Sequence, residues 1–188
     1  MRLTAHQPNF LPYASFVEKT RQADVLVLLN HAQFVRQNYH HRFHRDDRWY
    51  TMSVNAGNRD LINEKTYLYP TADWLRIKRL LGDAGPRLDV FDDCISDSLW
   101  RTNGAIIRRL LSLLGQAPRI EDDWPTAARG TARLVELCIR LGATEYLSGP
   151  SGRRYLDEHL FKDAGVRVYY FEPTTSTAAV DLLGEKRP

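Results

Sequence analysis

Residues 1–29 read MRLTAHQPNFLPYASFVEKTRQADVLVLL, and the order of apolar and polar blocks in this stretch decides the fold class. Arg2 to His6 is a short run ending in a polar cluster, where Pro8 and Pro12 forbid both a central strand and a helix interior. From Tyr13 to Ala23 the positions Phe16, Val17 and Thr20 recur at helical spacing, and Asp24 punctuates before the unbroken VLVLL of Val25 to Leu29. A strand without polar alternation belongs in a parallel sheet covered on both faces, so this strand, helix and strand make a βαβ unit.

The C-terminal third repeats the pattern. Thr126 to Leu141 reads as a helix with Leu134, Leu137, Cys138 and Leu141 on one face, ended by Gly142. Glu145 to Leu147 is then a strand, SGPSG a loop, Arg154 to Asp163 a helix and Val166 to Phe171 a further strand. Between the two βαβ units the signals change. Arg48 to Val54 alternates and carries β-formers, with a turn at Asn55 to Asn58 and a return strand at Lys65 to Tyr69 that together predict an antiparallel hairpin. Thr71 is placed to cap a helix through about Leu81. Ser98 is placed to cap a longer one, with Ile106, Ile107, Leu110, Leu111 and Leu114 as its apolar stripe and Gly115 as its stop. Gly85 to Asp97 fits neither period. The expected class is α/β, with a mainly parallel, Rossmann-like sheet, flanking helices and a small antiparallel hairpin.

Composition sets the bounds. At 188 residues, 43% hydrophobic and 26% charged, the chain fits one domain with enough apolar material for a core of its own. Two cysteines, Cys94 and Cys138, with no CxxC and no leader pattern predict a reducing, cytoplasmic setting. No apolar run reaches the roughly 20 residues needed to span a bilayer. A net charge of +3 permits an anionic ligand but is too small for a diffuse nucleic-acid footprint. The charge is concentrated in VRQNYHHRFHRDDR, residues 35–48, where Arg36, Arg42, Arg45 and Arg48 alternate with His40, His41, His44 and aromatics.

Three segments carry candidate chemistry. His6, Gln7 and Asn9 follow the first strand, at the sheet edge where open α/β proteins bind ligands. His6 is suited to acid or base work near neutral pH, and Gln7 and Asn9 to donating hydrogen bonds toward a developing oxyanion. The competing reading is a satisfied strand-end histidine beside prolines that shape a loop. Asn30 and Gln33 follow the second strand and emerge at the same edge if the pair is parallel. Arg36 and Arg42, with Asn38 between them, are suited to a phosphate because guanidinium pairs with two oxygens at once, although a solvated basic loop has the same composition. Ser148, Gly149, Ser151 and Arg154 form a third loop able to present amides, hydroxyls and charge to an anion. His40 and His44 lie four residues apart, but no glutamate or third ligand accompanies them and the aromatics favour extended structure, so no metal site is expected. Walker, GxGxxG and GxSxG patterns are absent.

The string HQPNFLPY at His6 to Tyr13, the following FVEKTRQADVLVLL, Gln33-Phe34, the Arg36 to Arg42 segment and the later block from RLVELCIRLGATEYLSGPSG resemble the WbqC-like family. That resemblance implies a place beside surface-polysaccharide biosynthesis, O-antigen included, and transfer of glycine or a similar aminoacyl group onto a sugar. The chain departs from the family pattern at Asn30 and His31, where acidic residues are usual, through about Gly82 to Asp97, and in an abbreviated C-terminal region, from which an absent or altered part of an acceptor site is the expectation. The strand, histidine-bearing loop and helix are also similar to the nucleotidyltransferase and class I synthetase superfamily, without its HxGH signature. That analogy makes ATP a candidate cofactor.

The leading expectation is therefore a transferase joining an amino acid or acyl group to an amine or hydroxyl of a nucleotide-linked sugar or related anionic acceptor. His6 would be its acid or base, Gln7, Asn9 and Gln33 would position the carbonyl, and Asn30, Arg36, Asn38, Arg42, Ser148, Gly149, Ser151 and Arg154 would hold the substrate. The alternatives are the same chemistry on a nucleic-acid base, as in DNA modification, and a non-catalytic nucleotide or sugar binding module.

Overall fold

The two N-terminal strands pair in parallel, as their unbroken hydrophobicity requires. β1 (Arg2–His6) and β2 (Val25–Leu28) run in register from Leu3 opposite Val25 to His6 opposite Leu28, with α1 (Ala14–Thr20) connecting them. The computed structural model describes residues 1–57, 60–116 and 118–184. Its contacts group into two compact units: Met1–His6 with Ser15–Leu29 and Pro118–Thr175, and Gln7–Ala14 with Asn30–Ala117 and Ser176–Pro188.

The first unit holds a five-stranded sheet that is parallel throughout, in the order β5-β2-β1-β6-β7. It takes β5 from Arg119–Asp122, β6 from Glu145–Ser148 and β7 from Arg167–Tyr170. α4 (Gly130–Leu141) precedes β6, and Gly142 stops it with a φ of 70°, a left-handed conformation that costs glycine little. α5 (Glu158–Asp163) precedes β7. Leu3, Val25 and Val27 pack with Leu134, Leu137 and Cys138 of α4, and Tyr146 stacks on Phe161 with ring centroids 5.0 Å apart.

In the second unit, β3 (Arg42–Arg45) and β4 (Arg48–Thr51) form an antiparallel hairpin. Asp46 and Asp47 make its two-residue turn with φ of 50° and 54°, the paired positive values that match the twist of hairpin strands. α2 (Pro70–Leu80) and α3 (Leu99–Leu113) complete the unit, with a run of tight 3-10 turns over Gly82–Cys94 between them. Phe10 is fully buried here among Phe43, Tyr67 and Trp74, and Ile106, Ile107, Leu110 and Leu111 form the buried stripe of α3.

Both βαβ units and the α/β class stand as expected, and several boundaries move. The main hairpin is β3–β4; the expected pairing of the Val54 region with Lys65–Tyr69 is a shorter contact, held by Asn55 N to Thr66 O at 3.1 Å and Leu68 N to Ser53 O at 2.9 Å. Of the turn expected at Asn55 to Asn58, Asn58 lies outside the described residues, as does the tail from residue 185. Pro70 opens α2 with Tyr69 at its N-cap, so Thr71 sits inside the first turn rather than capping it. Proline suits that place because its ring fixes the helical φ where no amide is needed. The C-terminal helices start later than expected, α4 at Gly130 and α5 at Glu158, where Asp157 accepts the His159 amide at 3.0 Å. Cys94 and Cys138 are buried free thiols. Among the described residues no helix is long and apolar enough to cross a membrane.

Candidate functional site

In the first unit, β1, β2 and β6 end at His6, Leu28 and Ser148, and because all three run parallel these ends share one edge of the sheet. The order places β1 at a topological switch point: the chain leaves β1 toward β2 on one side and later returns to β6 on the other. Ligands of open parallel sheets bind at that place. The β1–β6 pairing covers only Arg2 with Glu145 and Leu3 with Tyr146, so the two strands part before the edge is reached. Where they part, the Thr4 hydroxyl donates to the Leu147 carbonyl at 2.8 Å.

His6 stands half-buried at this edge, its ring edge-on to Phe16 with centroids 4.9 Å apart. The Ser148 side chain is buried, and its Oγ donates to the Gly149 carbonyl at 3.0 Å. Gly152 closes over it so tightly that a Cβ there would lie 2.0 Å from Ser148 Oγ. Ser151 and Arg154 are exposed on a 3-10 turn spanning Pro150–Arg154 instead of opening a helix as expected.

In the second unit, Gln7, Asn38 and His40 converge. Gln7 Oε1 accepts from His40 Nε2 at 2.9 Å and from Asn38 Nδ2 at 3.4 Å. The Val35 amide, which can only donate, points at His40 Nδ1 at 3.4 Å. Nδ1 is therefore the acceptor and Nε2 carries the proton, which in turn fixes the Gln7 carboxamide with its oxygen toward His40. Burial, with His41 alongside, pushes the His40 pKa down to about 4. His41 is likewise pushed down to about 4, first by burial and then by Arg42, Arg36 and Lys65. Both rings pack against Phe34 at 5.5 Å.

Buried Asn103 of α3 ties this cluster to the HQPN segment. Its Nδ2 donates to the Pro8 carbonyl at 2.8 Å and to the His40 carbonyl at 2.6 Å, while its Oδ1 accepts from Tyr67 at 2.8 Å. Among the described residues Asn9 Oδ1 and His41 Nδ1 are buried with no hydrogen-bond partner, Asn9 Oδ1 as an acceptor that a bound donor would satisfy and His41 Nδ1 as an acceptor or a donor according to its tautomer. Asn30 is buried and its carbonyl accepts the Asn63 amide at 2.9 Å. Gln33 and Arg36 are exposed, Gln33 in a backbone bridge to Leu61. Arg42 serves as a strut: its guanidinium lies 4.0 Å over Trp49 and donates to the carbonyls of Gln37 and Asn38. His44 sits in extended β3 against Trp49 and shares no helical face with His40.

Sequence reasoning did not single out Lys19, Lys65 or Asn103. Lys65 is buried beneath the 55–57 loop, with Nζ donating to Gly57 O and to Asp60 Oδ2, each at 2.6 Å. Lys65 lies among Asn63, Glu64 and Thr66, and Asn103 among Arg101, Thr102 and Gly104, so no local pattern marks either as buried. Among the described residues no three His, Cys, Asp or Glu side chains gather as a metal site.

The WbqC-like family model matches residues 7–178, a span that includes the Gln7 to Tyr13 string, the histidine cluster and the Ser148 loop. The chain belongs to the WbqC-like protein family. One relative of this WbqC-like chain is an uncharacterized protein of Mycobacterium tuberculosis, 24% identical over an alignment covering 88% of the chain and 80% of the relative. No solved structure matches.

Proposed function

We propose that this WbqC-like protein is a transferase that moves a glycine-like aminoacyl or other acyl group onto an amine or hydroxyl of a nucleotide-linked sugar or related anionic acceptor. The observation that carries the reading is the switch point in the first unit, with His6 on the strand end beside the place where β1 and β6 part. An acceptor amine attacking an activated acyl carbon must lose a proton as the new bond forms and the carbon releases its leaving group. His6 is the base that takes that proton and then returns one to the leaving group. Gly149, Ser151 and Arg154 are assigned to the acceptor's phosphate, with Ser148, buried under Gly152, shaping the loop that carries them.

In the second unit Gln7, oriented by His40, and Asn9 form a separate set, in which the two side-chain amide nitrogens would donate to a carbonyl and Asn9 Oδ1 would accept from an amine. Asn30, Gln33, Arg36, Asn38 and Arg42 belong to the same unit, and the struts described above give Asn38 and Arg42 a shaping role besides any contact with substrate.

Incubating the protein with glycine, ATP and an amino-sugar nucleotide, with mass spectrometry of the products, tests the reading. Product should form and should fall at least about 100-fold in His6→Ala with the circular dichroism unchanged, the range that general acid–base groups supply. Turnover equal to wild type would remove His6 from the chemistry.

A second reading places a nucleic-acid base as the acceptor. It draws on the hairpin, where Arg48 and Trp49 are exposed and Arg36 is exposed in the segment before it. Binding that weakens steeply with salt, by a slope corresponding to several phosphates, supports this acceptor over a sugar nucleotide.

A further inference from the structure

Parallel strands use alternate residues toward each neighbour. Arg2 O and His6 O both face β2, accepting from Asp24 N and Leu29 N at 2.9 Å each, so Leu3 and Ala5 face β6. On β6, Ser148 O accepts from Phe171 N on the β7 side, so Leu147 O faces β1. Past Leu3 and Tyr146 the ladder stops, and side chains take up the two carbonyls that face each other across the gap. Thr4 Oγ1 serves Leu147 O at 2.8 Å, and Lys19 Nζ reaches Ala5 O at 3.5 Å.

The lysine is an unusual choice for that task. A distance of 3.5 Å is at the limit of a hydrogen bond, and one carbonyl takes up only one of three ammonium protons. Lys19 is only 6% exposed, and among the described residues no carboxylate pairs with it. Lysine is almost never so buried without a partner, because the desolvated charge has nothing to offset it. Thr4 shows that a neutral hydroxyl closes such a gap well, so hydrogen bonding alone does not call for a cation here.

We propose that Lys19 is an anion-holding group of the switch-point site, its ammonium binding a carboxylate or phosphate oxygen of the substrate in the gap between β1 and β6. The proposal deepens the transferase reading and rests on it only for the identity of the bound anion as substrate. In the absence of a ligand, burial alone pushes the Lys19 amine down to about 8. An oxyanion in the gap supplies the missing counter-charge and pins the amine in its charged form.

Thermal unfolding of wild type and Lys19→Met, each titrated at fixed ionic strength with inorganic phosphate or with glycine, tests the assignment. At least one of the two should raise the wild-type midpoint, because a ligand that binds only the folded state stabilises it. Phosphate as the active probe assigns Lys19 to the acceptor's phosphoryl group, and glycine assigns it to the donor's carboxylate. In Lys19→Met the apparent affinity should drop at least tenfold, while the ligand-free midpoint should equal or exceed that of wild type. Equal shifts in both proteins, or no shift in wild type with either probe, would overturn the proposal. Should Lys19→Met fail to fold, the lysine NMR signals of isotopically labelled wild type decide: the Lys19 resonance should move on addition of the active anion, and a static resonance overturns the assignment. A midpoint shift lost in Lys19→Met with no product in the transfer assay keeps the anion site and removes the transferase reading. Wild-type turnover by Lys19→Met does the reverse.

Discussion

His40 donates from Nε2 to Oε1 of Gln7 across 2.9 Å, and this contact makes a buried imidazole the orienting group of the HQPN string. The direction is fixed from the far side of the ring, where the Val35 amide requires Nδ1 to accept. Protonating His40 would set an Nδ1 proton against the Val35 amide proton, so the arrangement holds only while the ring is neutral.

That requirement sets a pH dependence. His40 and His41 each drop from an ordinary 6.5 to about 4 on folding, chiefly through burial. Between those values the unfolded chain binds protons that the folded protein refuses, so stability is fully present above pH 6.5 and is lost as pH falls toward 4. The expected loss is roughly 1 to 3 kcal/mol per histidine. Urea unfolding at pH 7 and at pH 5 should show it, and His40→Gln should flatten the slope. A stability independent of pH across this window would contradict the neutral, buried assignment.

Asn103 serves two carbonyls and one hydroxyl from a buried position on α3. Asn103→Leu should cost about 2 to 4 kcal/mol, since it leaves buried polar groups of Pro8, His40 and Tyr67 unsatisfied. Tyr67→Phe removes only the donor to Asn103 Oδ1 and should cost about 1 kcal/mol. The double variant should be less destabilised than the sum of the two, because the Tyr67 hydroxyl is no longer present to be stranded. Additivity in a urea-denaturation cycle would show that the two side chains act independently.

The parallel sheet was legible because Val25 to Leu29 has no polar alternation, and burial on both faces leaves no other reading. β5 escaped because Arg119 to Asp122 is a four-residue edge strand whose side chains stay largely in contact with solvent, so no hydrophobic period marks it. The hairpin was placed too far along the chain. Asp46 and Asp47 carry its turn without a glycine, and the signal at Asn55-Ala56-Gly57 looked stronger. His6 and Ser148 could be placed at one edge from topology alone. Lys19 could not be identified, since a single lysine on a short helix reads as a solvated face until the helix is docked. The pairing of His40 with Gln7 depends on a contact across 33 residues and leaves no local pattern.

Lys65 holds the 55–57 loop from beneath, with its ammonium shared among the carbonyls of Asn55, Ala56 and Gly57 and the carboxylate of Asp60. Lys65→Met keeps an unbranched stem but removes the ammonium that lies 4.9 Å over the Phe34 ring and strands those acceptors, so a loss of about 2 to 4 kcal/mol is expected. Asp60→Asn should cost less, since the three carbonyls remain served and Asp60 is partly solvated. Proteolysis of the native protein should show faster cleavage near residues 55–57 in Lys65→Met than in Asp60→Asn. The opposite order would mean that the ion pair, and not the carbonyl cage, fixes the loop.

Gly152 and Ser148 form a steric lock on the loop that follows β6. A Cβ at Gly152 would meet Ser148 Oγ at 2.0 Å, Ser148 Cβ at 3.1 Å and Leu156 Cδ1 at 3.1 Å. Ser148 is buried and cannot swing into solvent, so Gly152→Ala should destabilise the protein by about 1 to 3 kcal/mol through overpacking. Deleting the offending oxygen should relieve much of that cost, because only the two softer contacts at 3.1 Å remain. The urea midpoint of Ser148→Ala/Gly152→Ala should therefore lie above that of Gly152→Ala, a sign reversal that two independent lesions cannot produce. A double variant less stable than Gly152→Ala would show that the loop yields elsewhere and that Ser148 does not set its path.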